Sequence, residues 1–107
     1  MEYKIIPTPN FIKDLKILKK KYLSISNDIE PFLEQLRTHP TLGNSLGKNL
    51  YKIRIPISSK NKGKSAGARL ITFVQVIENS IYLITIFDKS DKSNISDNEL
   101  KKLINLL

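Results

Sequence analysis

The chain has 107 residues, no cysteine and a formal net charge of +8, which suits one domain over 1–107 with one modest core and excludes disulfides and thiolate metal sites. No apolar run approaches the ~20 residues that cross a bilayer, and MEYKIIPTPNF lacks the basic start and long apolar run of a signal peptide, so a cytoplasmic protein without a membrane partner is expected. Residues 35–77 carry Arg37, Lys48, Lys52, Arg54, Lys60, Lys62, Lys64 and Arg69 but no acid, so these eight cations equal the whole net charge; charge this one-sided draws polyanions such as nucleic acid or an acidic protein.

Lys4–Pro7 reads as a short edge strand limited by Pro7 and Pro9. Asn10 is then placed to cap a helix whose Phe11, Leu15, Leu18 and Tyr22 share one face, leaving Lys13, Lys16, Lys19, Lys20 and Lys21 on a solvated side. A second helix starts between Ser24 and Asp28 and buries Ile29, Phe32, Leu33 and Leu36. Asn27 and Glu30 have capping-box spacing, which keeps Pro31 near the first turn; a start at Ser24 puts Pro31 in the helix interior. THPTLGNSLG ends that helix with Pro and Gly, and the lone His39 has no carboxylate or thiol beside it that marks a catalyst.

LYKIRIPI, residues 50–57, alternates: Tyr51, Ile53, Ile55 and Ile57 face one way, Lys52 and Arg54 the other. The stretch SSKNKGKSAG after it contains Gly63-Lys64-Ser65, the tail of a phosphate loop, but Ser58 stands where the first glycine is needed and a strand follows instead of a helix. The segment reads as a basic loop, with Lys60, Lys62 and Lys64 as mobile phosphate contacts. Ala68–Ile77 and Ile81–Phe87 are apolar enough for central strands joined at the hairpin signal ENS. Ser96 and Glu99 form a capping box, with Ile95 and Leu100 as a staple, for a last helix with Leu100, Leu103, Ile104 and Leu107 on its apolar stripe. The order β-α-α-β-β-β-α implies an α+β fold, a mainly antiparallel sheet with two N-terminal helices packed on one face and a short C-terminal helix. The other face then exposes Lys52, Arg54 and Arg69.

Clustered Lys and Arg can bind a phosphodiester, favour ionisation of a ribose 2′-hydroxyl and stabilise a pentavalent transition state. The acid-free segment offers no carboxylates for a hard metal ion, and one histidine cannot make an acid–base pair, so no cofactor is expected. LYKIRI, the basic loop, GARLITFVQVIENSIYLITIFDKSD and the closing helix, in this order, resemble the RelE/ParE superfamily of toxins from toxin–antitoxin systems, and its RelE/HigB branch more closely. The resemblance spans essentially the whole chain. It implies a translation-dependent mRNA endoribonuclease, an mRNA interferase, that acts in the ribosomal A site. It also implies an antitoxin partner with an acidic, partly disordered segment.

By that resemblance Lys52 and Arg54 match the basic pair of the second strand, which acts in hydroxyl activation and phosphate binding. Arg69 matches the arginine that stabilises the transition state, and Lys89 the lysine of the turn after the last strand. Lys48, Lys60, Lys62, Lys64 and Lys92 are the expected RNA contacts. Two departures stand out: Ser90 replaces a further arginine, and Ser96 replaces a tyrosine near the last helix. The leaving-group acid is then Lys89, Lys92 or water. The rival functions are a gyrase poison of the ParE kind and an RNA-binding module without catalysis, in which Tyr51 and Phe73 stack bases.

Overall fold

The computed structural model describes residues 2–60, 67–92 and 94–107. Lys62 and Lys64 lie outside the described residues. Its elements are β1 (Lys4–Pro7), α1 (Pro9–Lys21), α2 (Ile25–Leu36), β2 (Asn44–Gly47), β3 (Leu50–Ile55), β4 (Ala68–Gln75), β5 (Ser80–Asp88) and α3 (Asp97–Asn105), with a single 3-10 turn at Ser58–Lys60. The strands form one sheet in the order β1-β5-β4-β3-β2. β1 runs parallel to β5 and the remaining neighbours are antiparallel.

Thr8, not Asn10, caps α1: its side-chain oxygen accepts from the Phe11 N–H at 3.2 Å, and Pro9 takes the first helical position, where its missing donor costs nothing. The Thr8 hydroxyl also donates to the Leu83 carbonyl at 2.8 Å, tying the helix start to the sheet. The Asn10 amide instead donates to Asp14 and to the Ile84 carbonyl. In α2 the start falls after Ser24, so Asn27 and Glu30 are already helical and Pro31 sits in the interior, where it cannot donate to the Asn27 carbonyl.

β2 is an addition to the order expected from sequence. NSLG has neither alternation nor length, and it becomes a strand because the chain folds back on β3. Lys48 and Asn49 both take positive φ, 52° and 65°, the left-handed pair that closes a tight hairpin. At Gly43, φ is +102° and a Cβ would lie 2.5 Å from the Lys52 carbonyl oxygen, so only glycine brings the chain this close to β3.

One sheet face carries Ile53, Ile55, Leu70, Val74, Ile81, Leu83 and Ile86 against Phe11, Leu18, Ile25, Ile29 and Leu36 of α1 and α2. The opposite face is not left open along its length. Leu50, Ile71, Ile84 and Phe87 form a second cluster there with Ile95 and Leu100. The staple and stripe expected for α3 need an apolar partner, and these four residues supply it. The β4–β5 pairing shifts between Ile71 and Thr72, passing from Ile71↔Thr85 to Thr72↔Leu83; the skipped residue, Ile84, joins this second cluster. Lys52, Arg54 and Arg69 belong to this same face by strand alternation.

Candidate functional site

The β3–β4 register sets Arg54 directly opposite Arg69, and Lys52 opposite Ile71. Lys52 and Arg54, two residues apart, share one face about 6–7 Å from each other along the strand. Arg54 is exposed and Lys52 half-buried, whereas Arg69 is only 3% exposed. Its Nη1 donates to the Ala68 carbonyl at 3.1 Å. On its other side Arg69 pairs with Phe87, so the row across the sheet has no carboxylate. Among the described residues neither Lys52 nor Arg54 forms a salt bridge.

Burial first, and then the Arg54 guanidinium, push the Arg69 pKa below its ordinary value. An arginine nevertheless stays protonated in a protein, so the strain is kept as charge repulsion. Like charges facing each other across a strand pair are destabilising. A bound anion relieves that repulsion, and a guanidinium fork fits two phosphate oxygens at once.

Lys89 is exposed and follows β5 immediately. Its N–H donates to the Gly67 carbonyl at 3.1 Å, which puts its backbone at the Arg69 end of the sheet. At Gly67 a Cβ would stand 2.1 Å from the Ile55 carbonyl oxygen, so glycine is what allows β4 to begin against the end of β3. Lys92 ion-pairs with Glu99 and lies 5.4 Å over the ring of Phe87, the cross-strand neighbour of Arg69. Lys48 is not part of this group: it lies at the β2–β3 turn, six residues from Arg54 and so roughly 20 Å away at a strand's rise. His39 is also outside the group, with its Nδ1 3.0 Å from the Thr38 hydroxyl. Tyr51 packs on the first core, and Phe73 meets Tyr82 with ring centroids 6.4 Å apart.

Lys60 faces another partner. Its ammonium donates to Asp88 Oδ1 at 2.7 Å and to Ser90 Oγ at 2.6 Å, and its side chain is 11% exposed. Asp88 itself was not singled out in the sequence. Its carboxylate is fully buried and accepts from the Tyr22 hydroxyl at 2.6 Å and the Ser90 N–H at 2.9 Å, with Lys21 at 3.7 Å. Burial alone would raise its pKa, but the bonds from Lys60, Tyr22 and Ser90 outweigh that and hold it well below the usual carboxylate range. A signal was present in IYLITIFD: an acid at the end of an apolar strand, in step with inward residues, demands a buried cation. A second carboxylate, Asp28, accepts from the Ser58 N–H and hydroxyl at 2.9 and 2.6 Å. The two acids pin the two ends of the 3-10 turn.

A family model described as the RelE toxin of the RelE/RelB toxin–antitoxin system matches residues 34–106. Among solved structures, an arginine-to-alanine double mutant of the E. coli RelE toxin in the free state has a TM-score of 0.61 at 19% identity, over 87% of this chain and 90% of that one. The isolated E. coli RelE toxin gives a TM-score of 0.53 at 17% identity, over 98% of this chain and 99% of that one. At such identities the structures establish a shared fold, and the family match adds the sequence pattern over the segment that holds Lys52, Arg54, Arg69 and Lys89. On that match, which covers more than half of its length, the chain belongs to the RelE family of toxins from toxin–antitoxin systems.

Proposed function

We propose that the protein is an mRNA endoribonuclease that cuts message on the translating ribosome and is neutralised by a cognate antitoxin. The observation that carries this reading is the pair Arg54 and Arg69 at opposed register positions on a row without acid. RNA supplies its own nucleophile. The 2′-oxygen attacks the adjacent phosphorus, the P–O5′ bond breaks, and the products are a 2′,3′-cyclic phosphate and a 5′-hydroxyl that takes up a proton.

Arg54, being exposed, takes the scissile phosphate first. Arg69 stands across from it on β4 as a second fixed charge, in a site where water screens poorly and charge stabilisation is strongest. Lys52 favours ionisation of the 2′-hydroxyl from the same face. Lys89 is the leaving-group acid best supported by position, because Lys92 already pairs with Glu99. Lys60, committed to Asp88, supports the site from behind.

The test is cleavage by the purified protein of mRNA on programmed ribosomes, with ends mapped by primer extension. Cuts at A-site codons that vanish without ribosomes are expected. Intact mRNA together with gyrase-linked DNA breaks in cells would replace this reading with gyrase poisoning.

A further inference from the structure

We propose that Asp88 is a positioning residue for the cleavage site, holding the 88–92 turn so that Lys89 stays beside the Arg54–Arg69 pair. The inference rests on the ribonuclease reading. Three sets of bonds converge on this residue. Its Oδ1 accepts from Lys60 Nζ and from the Ser90 N–H, at 2.7 and 2.9 Å. Its Oδ2 accepts from the Tyr22 hydroxyl at 2.6 Å. Its carbonyl accepts from the Asp91 and Lys92 N–H groups at 3.0 and 3.1 Å.

Lys89 therefore sits between two fixed residues, with its own N–H bound to the Gly67 carbonyl. The side chain of an aspartate that accepts from the N–H two residues on locks a turn in the way a backbone carbonyl does. Here Lys60 completes the lock by donating to both Asp88 and Ser90.

The sheet makes this arrangement compatible with anion binding. Strand alternation puts Phe87 on the Arg69 face and Asp88 on the other. The carboxylate is buried with Tyr22 and Lys60 and cannot reach RNA. It neutralises Lys60 behind the sheet, and among the described residues no acid pairs with Lys52 or Arg54 in front. An acid placed one residue earlier in the strand would oppose Arg69 and repel phosphate. The location of the only buried carboxylate among the described residues is thus explained by anchoring rather than by acid–base work.

The experiment compares Asp88→Asn with wild type on programmed ribosomes under single-turnover conditions. Asn keeps the shape but removes the counter-charge of Lys60. The cleavage rate at saturating ribosome should fall tenfold or more, towards the ~100-fold that a misplacement of about 1 Å can cause. The half-saturating ribosome concentration should not change, because Lys52 and Arg54 remain. Amide hydrogen exchange should quicken at Ser90, Asp91 and Lys92 but not in the β3–β4 pairing. A folded Asp88→Asn that cuts at the wild-type rate, or that keeps wild-type exchange at 90–92, overturns the proposal and leaves the ribonuclease reading intact. Should Asp88→Asn not fold, Tyr22→Phe, which removes one bond and keeps the carboxylate, decides by the same two readouts: a smaller loss of rate with faster exchange supports the anchor, and wild-type values overturn it. A wild-type protein that leaves ribosome-bound mRNA uncut overturns the ribonuclease reading itself, and the proposal with it.

Discussion

Replacing Arg69 by methionine should cost activity far more than stability. Arg69 is 3% exposed and stands across from Arg54, and burial and that neighbour both disfavour its charged form. Methionine keeps an apolar stem of similar reach and removes the repulsion from Arg54 together with the bond to the Ala68 carbonyl, so gain and loss in the folded state offset. The melting temperature of Arg69→Met should therefore stay within ~4–8 °C of wild type, the shift of about 1 kcal/mol. Cleavage should fall by about 10²–10³, the ~2.7–4 kcal/mol that follows loss of one donor aimed at transition-state charge. Single-turnover rates on programmed ribosomes and thermal melts of the same two proteins give both quantities. The reasoning is refuted by a melting temperature lowered beyond ~4–8 °C, the shift that about 1 kcal/mol produces in a domain near this size, because Arg69 is then a structural residue. A wild-type rate at saturating ribosome would remove Arg69 from the chemistry.

Three further outcomes follow from the geometry. The Asp88 carboxyl has a depressed folded-state pKa, so its stabilisation is complete above the unfolded value of ~3.9 and is lost as pH falls below it; urea melts on the acid side should show a flatter pH dependence for Asp88→Asn than for wild type. Gly67→Ala would drive a Cβ to 2.1 Å from the Ile55 carbonyl oxygen; the strands must part, and denaturant melts should show a loss of about 1–3 kcal/mol. The antitoxin should bring an acidic, partly apolar segment over Lys52, Arg54 and Arg69, so stopped-flow association should slow as salt rises, whereas a salt-independent on-rate would place neutralisation elsewhere.

Most of the fold is legible because the long elements have one dominant pattern each. Phe11, Leu15, Leu18 and Tyr22 recur at helical spacing, and β3 alternates from Tyr51 to Ile55. What escapes is set by partners distant in sequence. β2 has no pattern of its own and exists because Gly43 lets the chain approach Lys52. The cap of α1 falls at Thr8, two residues before Asn10, because the Thr8 side chain serves both the Phe11 N–H and the Leu83 carbonyl; α2 takes the earlier of the two starts the sequence allows, at Ser24, whose hydroxyl accepts from Ser59. The second cluster beneath α3 depends on a shift at Ile71/Thr72 that no local rule announces.

The site shows the same division more sharply. A charge census of residues 35–77 counts eight equivalent cations, and the fold makes them unequal. Arg37, just past the end of α2, lies 3.4 Å from Glu34, and Lys60 is bound to Asp88. Lys48 is stranded at a hairpin tip by its positive φ of 52°. Among the described residues Lys52 and Arg54 have no salt-bridge partner, and the residues across from them, Ile71 and Arg69, are not acids. Register, therefore, and not composition, selects the candidate site from the basic surface. An acid-free stretch of sequence is informative only because a sheet places its neighbours from other stretches, and those neighbours decide each charge's fate. Asp88 and Phe87 illustrate the point: one step along β5 separates a carboxylate that silences Lys60 from a ring that leaves Arg69 facing Arg54.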